Sequence, residues 1–306
     1  MRGREGRLTF AAVCGAVAVV AACAATQAVA LDACPDAPQP RVLASGQGTL
    51  ESVGVDRKGR IFFTDLDGPG RLLRLRNDGR VRTLASGIDA PGGIVFKRNN
   101  LLVGYGNSFE QAADGPLDPE GGLLQVDPRT GATSKFVEGL QMANGVARGA
   151  HGQIFASNAL GTGIDRISGG TVELGWANVT SPNGLAVSTD KKYLYASQTL
   201  TAAAIQRIPL NDPAAASTWY SAPAADAGAG LDGLERGPDG AFYVAAAGGG
   251  QVWRVTGPGE ACVMLTRTPF PTGPSDLAFT RGRGFRDGTL LVTTWGGELL
   301  ALPGAA

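Results

Sequence analysis

The chain reads Pro182-Asn183-Gly184-Leu185 and, one repeat later, Leu231-Asp232-Gly233-Leu234. Both segments place a polar side chain directly before a short apolar run. Four related openings are found elsewhere, and the six of them stand at residues 51, 92, 144, 183, 232 and 275. Their mean spacing of about 45 residues lies in the range of repeat architectures that stack several strands per unit.

Each repeat contains short apolar strands separated by turns rich in small residues. In the first copy these strands are Ile61-Phe62-Phe63, Leu72-Leu73-Arg74-Leu75 and Val81-Arg82-Thr83-Leu84. Aromatic and β-branched runs bounded by Gly, Asp and Pro are typical of strands, and this period with several strands per unit is typical of β-propellers. We therefore predict an all-β, six-bladed β-propeller with four antiparallel strands per blade.

The final repeat supplies only three strands, the last at Glu298-Leu299-Leu300-Ala301. A candidate for the fourth stands near the other end of the chain, at Arg41-Val42-Leu43-Ala44-Ser45-Gly46. This segment resembles the outer strand of the first repeat, Val81 to Gly87. An N-terminal strand that completes the last blade would remove an open sheet edge.

The N-terminus has the pattern of a targeting segment. Three arginines precede an apolar stretch from Leu8 to Ala22, and Ala28-Val29-Ala30 offers a small-residue cleavage site. This pattern predicts a signal peptide over residues 1–30 and a secreted or periplasmic propeller domain over 31–306. An alternative is a bacterial lipobox at Val20-Ala21-Ala22-Cys23, which would leave a protein anchored to the membrane through a lipidated Cys23.

Removal of residues 1–30 leaves two cysteines, Cys34 and Cys262. In the predicted propeller Cys34 lies just before the closing strand of blade six, and Cys262 lies on the outer strand of blade five. Because these elements are neighbours and the expected compartment is oxidising, we predict a disulfide between them. The alternative is a pair of free, buried thiols.

If the repeats close into a ring, the polar openings converge on its axis. Four of them carry a carboxylate or an amide side chain: Glu51, Asn144, Asn183 and Asp232. Two carboxylates and two amides are suited to a hard cation such as calcium, or to another divalent cation. Asn-Gly and Asp-Gly are also common turn dipeptides. Glu51 does not fit the turn interpretation, because a carboxylate near an apolar axis is costly without a partner.

The strand order also predicts which loops share the face of this cluster. The connection between the second and third strands of blade two, residues 105–121, is long and acidic, and is either a lid or a solvated insertion. Candidate residues for a substrate pocket on this face are Tyr105, Asn107, Asn144, Asn158, Gln198 and Trp295. The single histidine, His151, falls in a turn on the opposite face, so a histidine-based triad is not available.

With these residues, the chain resembles the calcium-dependent six-bladed propellers of the senescence-marker-protein/gluconolactonase family over about residues 41–302. Diisopropylfluorophosphatase and the paraoxonases resemble it more distantly. The family places a Glu in the first blade, an Asn in each of two middle blades and an Asp in the next. Its usual Glu-Gly-Pro-x-Trp opening reads Glu51-Ser52-Val53-Gly54-Val55 here.

The resemblance implies a hydrolase of lactones or related esters, in which a bound metal acts as Lewis acid and Asp232 acts as base. One alternative is a non-catalytic propeller that binds a ligand or protein and holds a structural ion. Another is a metal-free propeller resembling strictosidine synthase. The chain has 27 basic and 27 acidic residues and no basic stripe, so we expect no nucleic-acid partner. We expect a small-molecule substrate, no membrane partner unless Cys23 is lipidated, and a monomer, because the ring closes on itself.

Overall fold

The computed structural model of this chain describes residues 29–114, 117–281, 285–286 and 288–306. Over these ranges, strands form six separate four-stranded antiparallel sheets. The predicted six-bladed propeller is therefore confirmed. Most of the predicted signal peptide, including Cys23, lies outside the described residues.

The strands are numbered along the chain. The first, β1, spans Arg41–Ala44. Blade one contains β2 (Leu50–Val55), β3 (Ile61–Asp65), β4 (Arg71–Leu75) and β5 (Val81–Ser86). Blade two contains β6 (Ile94–Lys97), β7 (Asn100–Tyr105), β8 (Gly121–Val126) and β9 (Thr133–Leu140). Blade three contains β10 (Val146–Arg148), β11 (Ile154–Ser157), β12 (Gly163–Ser168) and β13 (Thr171–Asn178).

Blade four contains β14 (Pro182–Val187), β15 (Tyr193–Gln198), β16 (Ala204–Pro209) and β17 (Ser217–Ser221). Blade five contains β18 (Leu231–Arg236), β19 (Phe242–Ala246), β20 (Gln251–Gly257) and β21 (Glu260–Thr266). Blade six contains β22 (Pro274–Phe279), β23 (Leu290–Thr294) and β24 (Leu299–Leu302), followed in the sheet by β1.

In the part of the chain that the structure describes, helical structure is confined to short connections. The helix α1 (Phe109–Asp114) lies between β7 and β8. Single 3₁₀ turns occupy Ala150–Gly152, Pro213–Ala215 and Ala224–Asp226. None of the helices in the described part of the chain has the length and apolar character needed to cross a membrane.

The ring closes as the sequence predicts. Strand β1 pairs antiparallel with β24, with Arg41 opposite Ala301 and Val42 opposite Leu300. The last sheet therefore has the order β1-β24-β23-β22, and its outer strand comes from the N-terminal side of the chain.

A disulfide joins Cys34 to Cys262, with their Cα atoms 4.9 Å apart. Backbone hydrogen bonds support the same junction, since Cys34 N–H donates to the Val263 carbonyl and Val263 N–H donates to the Asp32 carbonyl, both at 2.8 Å. The bond spans 228 residues, and closing so long a loop contributes on the order of 5 kcal/mol in the chain-entropy model. It is compatible with an oxidising compartment outside the cytoplasm.

Most of the exposed strand residues lie in the outer strands of the blades. Every residue of β2 and β3 is buried, whereas β9 at the outer edge of blade two is mostly exposed or half-buried. The apolar core lies between neighbouring sheets, as where Phe62 and Leu72 of blade one pack with Leu101 of blade two. The polar residues near the axis are therefore held on a rigid, buried framework.

Candidate functional site

The starts of the inner strands enclose a narrow central cavity of about 80 Å³. All four residues that the sequence predicts as ligands contribute to its lining: Glu51, Asn144, Asn183 and Asp232. The structure thus brings together side chains that are up to 181 residues apart in the chain. Two further carboxylates, Glu235 and Asp276, line the same cavity.

Irregular strand starts place these side chains on the axis. The register of β2 against β3 shifts between Leu50 and Val53, an interval that contains Glu51. Equivalent shifts occur at the starts of three other inner strands, between Pro182 and Leu185, Leu231 and Leu234, and Pro274 and Leu277. Because a β-bulge re-aims side chains, the same irregularity directs a polar residue inward in each of these blades.

The glycines that follow the candidate ligands are required by close packing. Neither Gly145 nor Gly184 has a positive φ. A Cβ atom on Gly145 would lie 2.1 Å from the Asn183 carbonyl oxygen, and one on Gly184 would lie 2.2 Å from the Leu234 nitrogen. The Asn-Gly pairs are therefore not turn dipeptides here; they let the inner strands of neighbouring blades approach each other around the axis.

Hydroxyl groups from the second strands fix the backbone of the candidate ligands, and sequence reasoning missed them. Ser157 Oγ, on β11, donates to the Asn183 carbonyl of the next blade at 2.6 Å. Ser197 Oγ, on β15, donates in the same way to the Asp232 carbonyl. The signal that could have found them is the recurrence of Ser or Thr at the ends of the second strands, as at Thr64 of β3.

Glu51 accepts three hydrogen bonds. Asn107 Nδ2 and Asn144 Nδ2 donate to its Oε1 atom at 2.7 and 3.0 Å, and Trp295 Nε1 donates to Oε2 at 2.9 Å. Asn144 Nδ2 also donates to Asn107 Oδ1 at 2.9 Å. Burial raises the pKa of Glu51 above its ordinary value, and these three donors partly offset the rise. The carboxylate is thus oriented by its neighbours without being paired to a cationic side chain.

Asp232 has no comparable set of donors. It is only 4 % exposed, and within the described ranges its Oδ2 atom has no hydrogen-bond partner. Burial raises the pKa of Asp232 well above its ordinary value, the charges of Glu51 and Asp276 raise it further, and a hydrogen bond with the Asn183 side chain partly offsets the rise. An unpartnered buried carboxylate oxygen beside a second buried carboxylate is an arrangement that a bound cation would balance.

A hydrogen bond from its amide nitrogen holds the Asn183 side chain and leaves its amide oxygen available as a ligand. Its Nδ2 atom donates to Thr199 Oγ1 at 2.9 Å, and Thr199 Oγ1 in turn donates to the Leu231 carbonyl at 2.7 Å. Within the described ranges no group of three or more His, Cys, Asp or Glu side chains is suited to a metal. A cation here would therefore depend on amide oxygens as well as on carboxylates, which is a donor set that fits calcium.

Asp276 is a carboxylate of the channel that the sequence did not single out. Its Oδ2 atom accepts hydrogen bonds from Ser52 Oγ at 2.6 Å and from the Val53 N–H at 3.0 Å. Burial raises its pKa to about 6. Glu235 lies further along the channel, where burial and then the charge of Asp276 raise its pKa to about 7.

The remaining pocket candidates divide into two groups. Asn107 and Trp295 contact Glu51 as described above, and Trp295 also packs edge-on against Phe270, with ring centroids 5.6 Å apart. Asn107 and Trp295 reach the site through Glu51 without lining the central cavity, and the other three, Tyr105, Asn158 and Gln198, also lie outside its lining.

Strand alternation explains where these three lie. Tyr105 packs against the apolar cluster between blades one and two. Gln198 Nε2 donates to the Thr180 carbonyl at 2.7 Å, so its side chain is engaged beside blade four. Asn158 is buried in the β11–β12 connection, where its N–H donates to the Gly163 carbonyl.

The connection over residues 105–121 is anchored on the site face. Asn107 reaches Glu51 and Asn144, and Gln111 Nε2 donates to the Gln141 carbonyl at 3.0 Å. Its tip exposes Phe109. His151, by contrast, is exposed in the 3₁₀ turn after β10 and takes no part in the cavity.

Residues 149–296 match the family model described as SMP-30/Gluconolactonase/LRE-like region. A gluconolactonase from Xanthomonas campestris is 20% identical with a TM-score of 0.67, and the match covers 90% of this chain and 97% of that chain. The calcium-binding protein regucalcin from Agrobacterium tumefaciens str. C58 is 20% identical with a TM-score of 0.66, over 87% of this chain and 93% of that chain. These findings confirm the resemblance to gluconolactonase-like propellers.

The same fold also occurs in virginiamycin B lyase from Staphylococcus aureus, which is 17% identical with a TM-score of 0.56 over 87% of both chains. The fold alone therefore does not specify the reaction. No curated protein sequence gives a significant match to this chain.

Proposed function

We propose that this chain, whose residues 149–296 match the SMP-30/Gluconolactonase/LRE-like family model, is a calcium-dependent hydrolase of lactones or related esters that acts in an oxidising compartment. The observation that carries the proposal is the unpartnered, buried Asp232 carboxylate oxygen in one cavity with Glu51 and two amides. The names of two similar structures, a gluconolactonase and a calcium-binding regucalcin, support the same assignment. The disulfide between Cys34 and Cys262 supports the assignment to an oxidising compartment.

The four residues that would hold the cation are Glu51, Asn144, Asn183 and Asp232. When bound, calcium would supply positive charge near the substrate carbonyl oxygen, on which negative charge develops during hydrolysis. The contribution of the protein is to hold the ligand oxygens in place. Asn107 and Trp295 orient Glu51, and Thr199 fixes the amide of Asn183.

Asp232 is the residue best placed to act as the base. Its Oδ2 atom is free of protein donors in the described ranges, so it is available to accept a proton from an attacking water. Calcium bound beside Asp232 would favour its ionised form, and an ionised carboxylate is the form that can abstract a proton. Direct attack of the carboxylate on the carbonyl carbon is the other route open to the same oxygen.

A panel of five- and six-membered lactones, aryl esters and phosphotriesters tests this function. We expect turnover of lactones in the presence of calcium, a loss of about 100-fold or more after chelation, and recovery when calcium is added back. Magnesium added at the same concentration serves as the control for ion specificity. Turnover that is indifferent to chelation, or calcium binding without turnover of any member of the panel, would contradict the proposal.

The hydrogen-bond network around Glu51 gives a second prediction. Asn107→Ala removes a donor to Glu51 and an acceptor for Asn144, and loss of such supporting bonds typically costs about 10- to 100-fold in metal affinity or activity. Calcium titration by calorimetry measures the effect. Asn99→Ala, in the exposed β6–β7 turn, is the matched control. Equal calcium affinity in the two variants would show that Asn107 does not position the site.

A further inference from the structure

The far end of the channel opens into a second, larger cavity of about 630 Å³. Its walls come from the later residues of the inner strands and the turns that follow them. Apolar side chains make up its floor: Val53, Val55, Ile94, Leu185, Leu277 and Phe279. A concave surface of this size that combines apolar side chains with polar groups is typical of small-molecule sites.

Cationic side chains surround this floor. Five of the lining residues are basic and come from five different blades: Arg57, Arg148, Lys191, Arg236 and Arg281. Glu235 is the only acidic residue in the lining. We refer to these five basic residues as the cationic mouth.

The cationic mouth follows the repeat. Its members stand at or just after the ends of the inner strands of blades one, three, four, five and six. Blade two has Arg98 in the corresponding turn, where it lines an adjoining cavity together with Arg57 and Arg148. Because the chain contains 27 basic and 27 acidic residues, the presence of basic residues from five blades at this end of the channel does not reflect an overall excess of positive charge.

Within the described ranges, none of the five basic residues takes part in an ion pair. Acidic residues in the nearby turns are engaged locally. Asp56 accepts from the backbone of Lys58 and Arg60 and from the Arg60 side chain, and Asp239 is paired with Arg254. Among the described residues of the lining, only Glu235 is acidic, and it interacts with the charge of Arg281. With five cations against one carboxylate, the mouth keeps a net positive charge.

We propose that the cationic mouth binds a small organic anion that carries three or more negative charges on an apolar body. A net charge of one sign around a low-dielectric cavity focuses the field and attracts a ligand of opposite charge. Arginine side chains bind phosphate, carboxylate and sulfonate groups through paired N–H donors. The apolar floor accommodates the body of the ligand. This site is at the opposite end of the channel from the proposed calcium site and does not depend on hydrolysis.

Pyrenetetrasulfonate is a suitable probe, because it is a fluorescent tetraanion with a flat apolar core. Titration of the purified protein is followed by fluorescence anisotropy at low salt. We expect saturable binding to one site, weakened as ionic strength rises. Arg57→Gln/Lys191→Gln removes two exposed members of the mouth, and we expect it to weaken binding about tenfold, which corresponds to about 1.4 kcal/mol.

The matched control is Arg41→Gln/Lys135→Gln, which removes the same two charge types from outer strands of blades six and two. It should bind the probe like the unmodified protein. Equal weakening in both double variants would indicate only a diffuse effect of net charge and would overturn the proposal. Absence of probe binding to the unmodified protein would also overturn the proposal. A lower melting temperature of Arg57→Gln/Lys191→Gln in that case would indicate that the cations serve only to balance the channel carboxylates.

Displacement of the probe identifies the chemistry of the natural ligand. Fructose bisphosphate represents phosphorylated compounds, and tricarballylate represents polycarboxylates. Displacement by either compound at the same site supports a small polyanion and indicates which charged group is preferred. Failure of both to displace the probe would overturn the assignment to a small ligand.

Discussion

Asp232→Asn is expected to lower kcat/KM for the preferred lactone about 1000-fold at saturating calcium, while the propeller stays folded. A positioned general base contributes about 10²- to 10⁴-fold to rate, and asparagine keeps the shape of the side chain without its basicity. The substitution also removes a negative charge from a cavity lined by Glu51, Asp276 and Glu235. Steady-state kinetics with calcium well above its Kd separates loss of the base from loss of the ion.

Asp165→Asn is the matched control for this experiment. Asp165 is also buried, but it lies on β12 and accepts hydrogen bonds from the backbone of Gln141 and Gly175 at 2.7 and 2.8 Å. Its substitution should lower stability and leave turnover per folded molecule unchanged. If Asp232→Asn behaved like Asp165→Asn in both respects, Asp232 would have a structural role and the base would have to be another residue.

The sequence predicted the ring and the convergence of its polar residues because both follow from equivalence between repeats. A residue at one repeat position takes the same angular place in each blade, so Asn183 and Asp232 could be assigned to the axis without coordinates. The closing strand was predictable for the same reason, since β1 resembles β5. These inferences need only the period and the order of the strands.

Other features depend on contacts between blades, which a repeat pattern does not encode. Asp276 stands one position later in its opening than Asp232 does in its own, and the bulge at the start of β22 still directs it to the channel. Ser157 and Ser197 act on the backbone of the following blade. Tyr105 was expected in the pocket, but its position in β7 sends the side chain into the core between blades.

Net charge was the least informative property of the sequence, because opposite charges are separated along the same strands. The start of β18 places Asp232 at one end of the channel, and the end of this strand places Arg236 at the other. The positive and negative charges cancel over the whole chain, yet each end of the channel has a strong local electrostatic field. The inner strands thus carry acidic residues at one end of the channel and basic residues at the other.

Without calcium, the carboxylates confined in the channel are expected to lower the stability of the fold. Burial raises the pKa of Asp276 to about 6 and that of Glu235 to about 7. A folded-state pKa above the unfolded one means that the native state binds more protons, so the metal-free protein should lose stability as pH rises from about 4 to 7. Calorimetric melting of the metal-free protein between about pH 5 and 8 measures this slope.

Calcium should reverse this loss of stability with rising pH, because it binds the ionised carboxylates of the native state only. At a concentration about 100-fold above Kd, it should raise the melting temperature near neutral pH by about 5–10 °C. Glu51→Gln/Asp232→Asn removes two of the repelling charges, so it should melt higher than the unmodified protein without calcium and show no rise when calcium is added. A double variant that still responds to calcium would place the ion elsewhere. A double variant that melts lower without calcium would mean that the channel carboxylates stabilise the fold through their hydrogen bonds, and that no cation is needed to balance them.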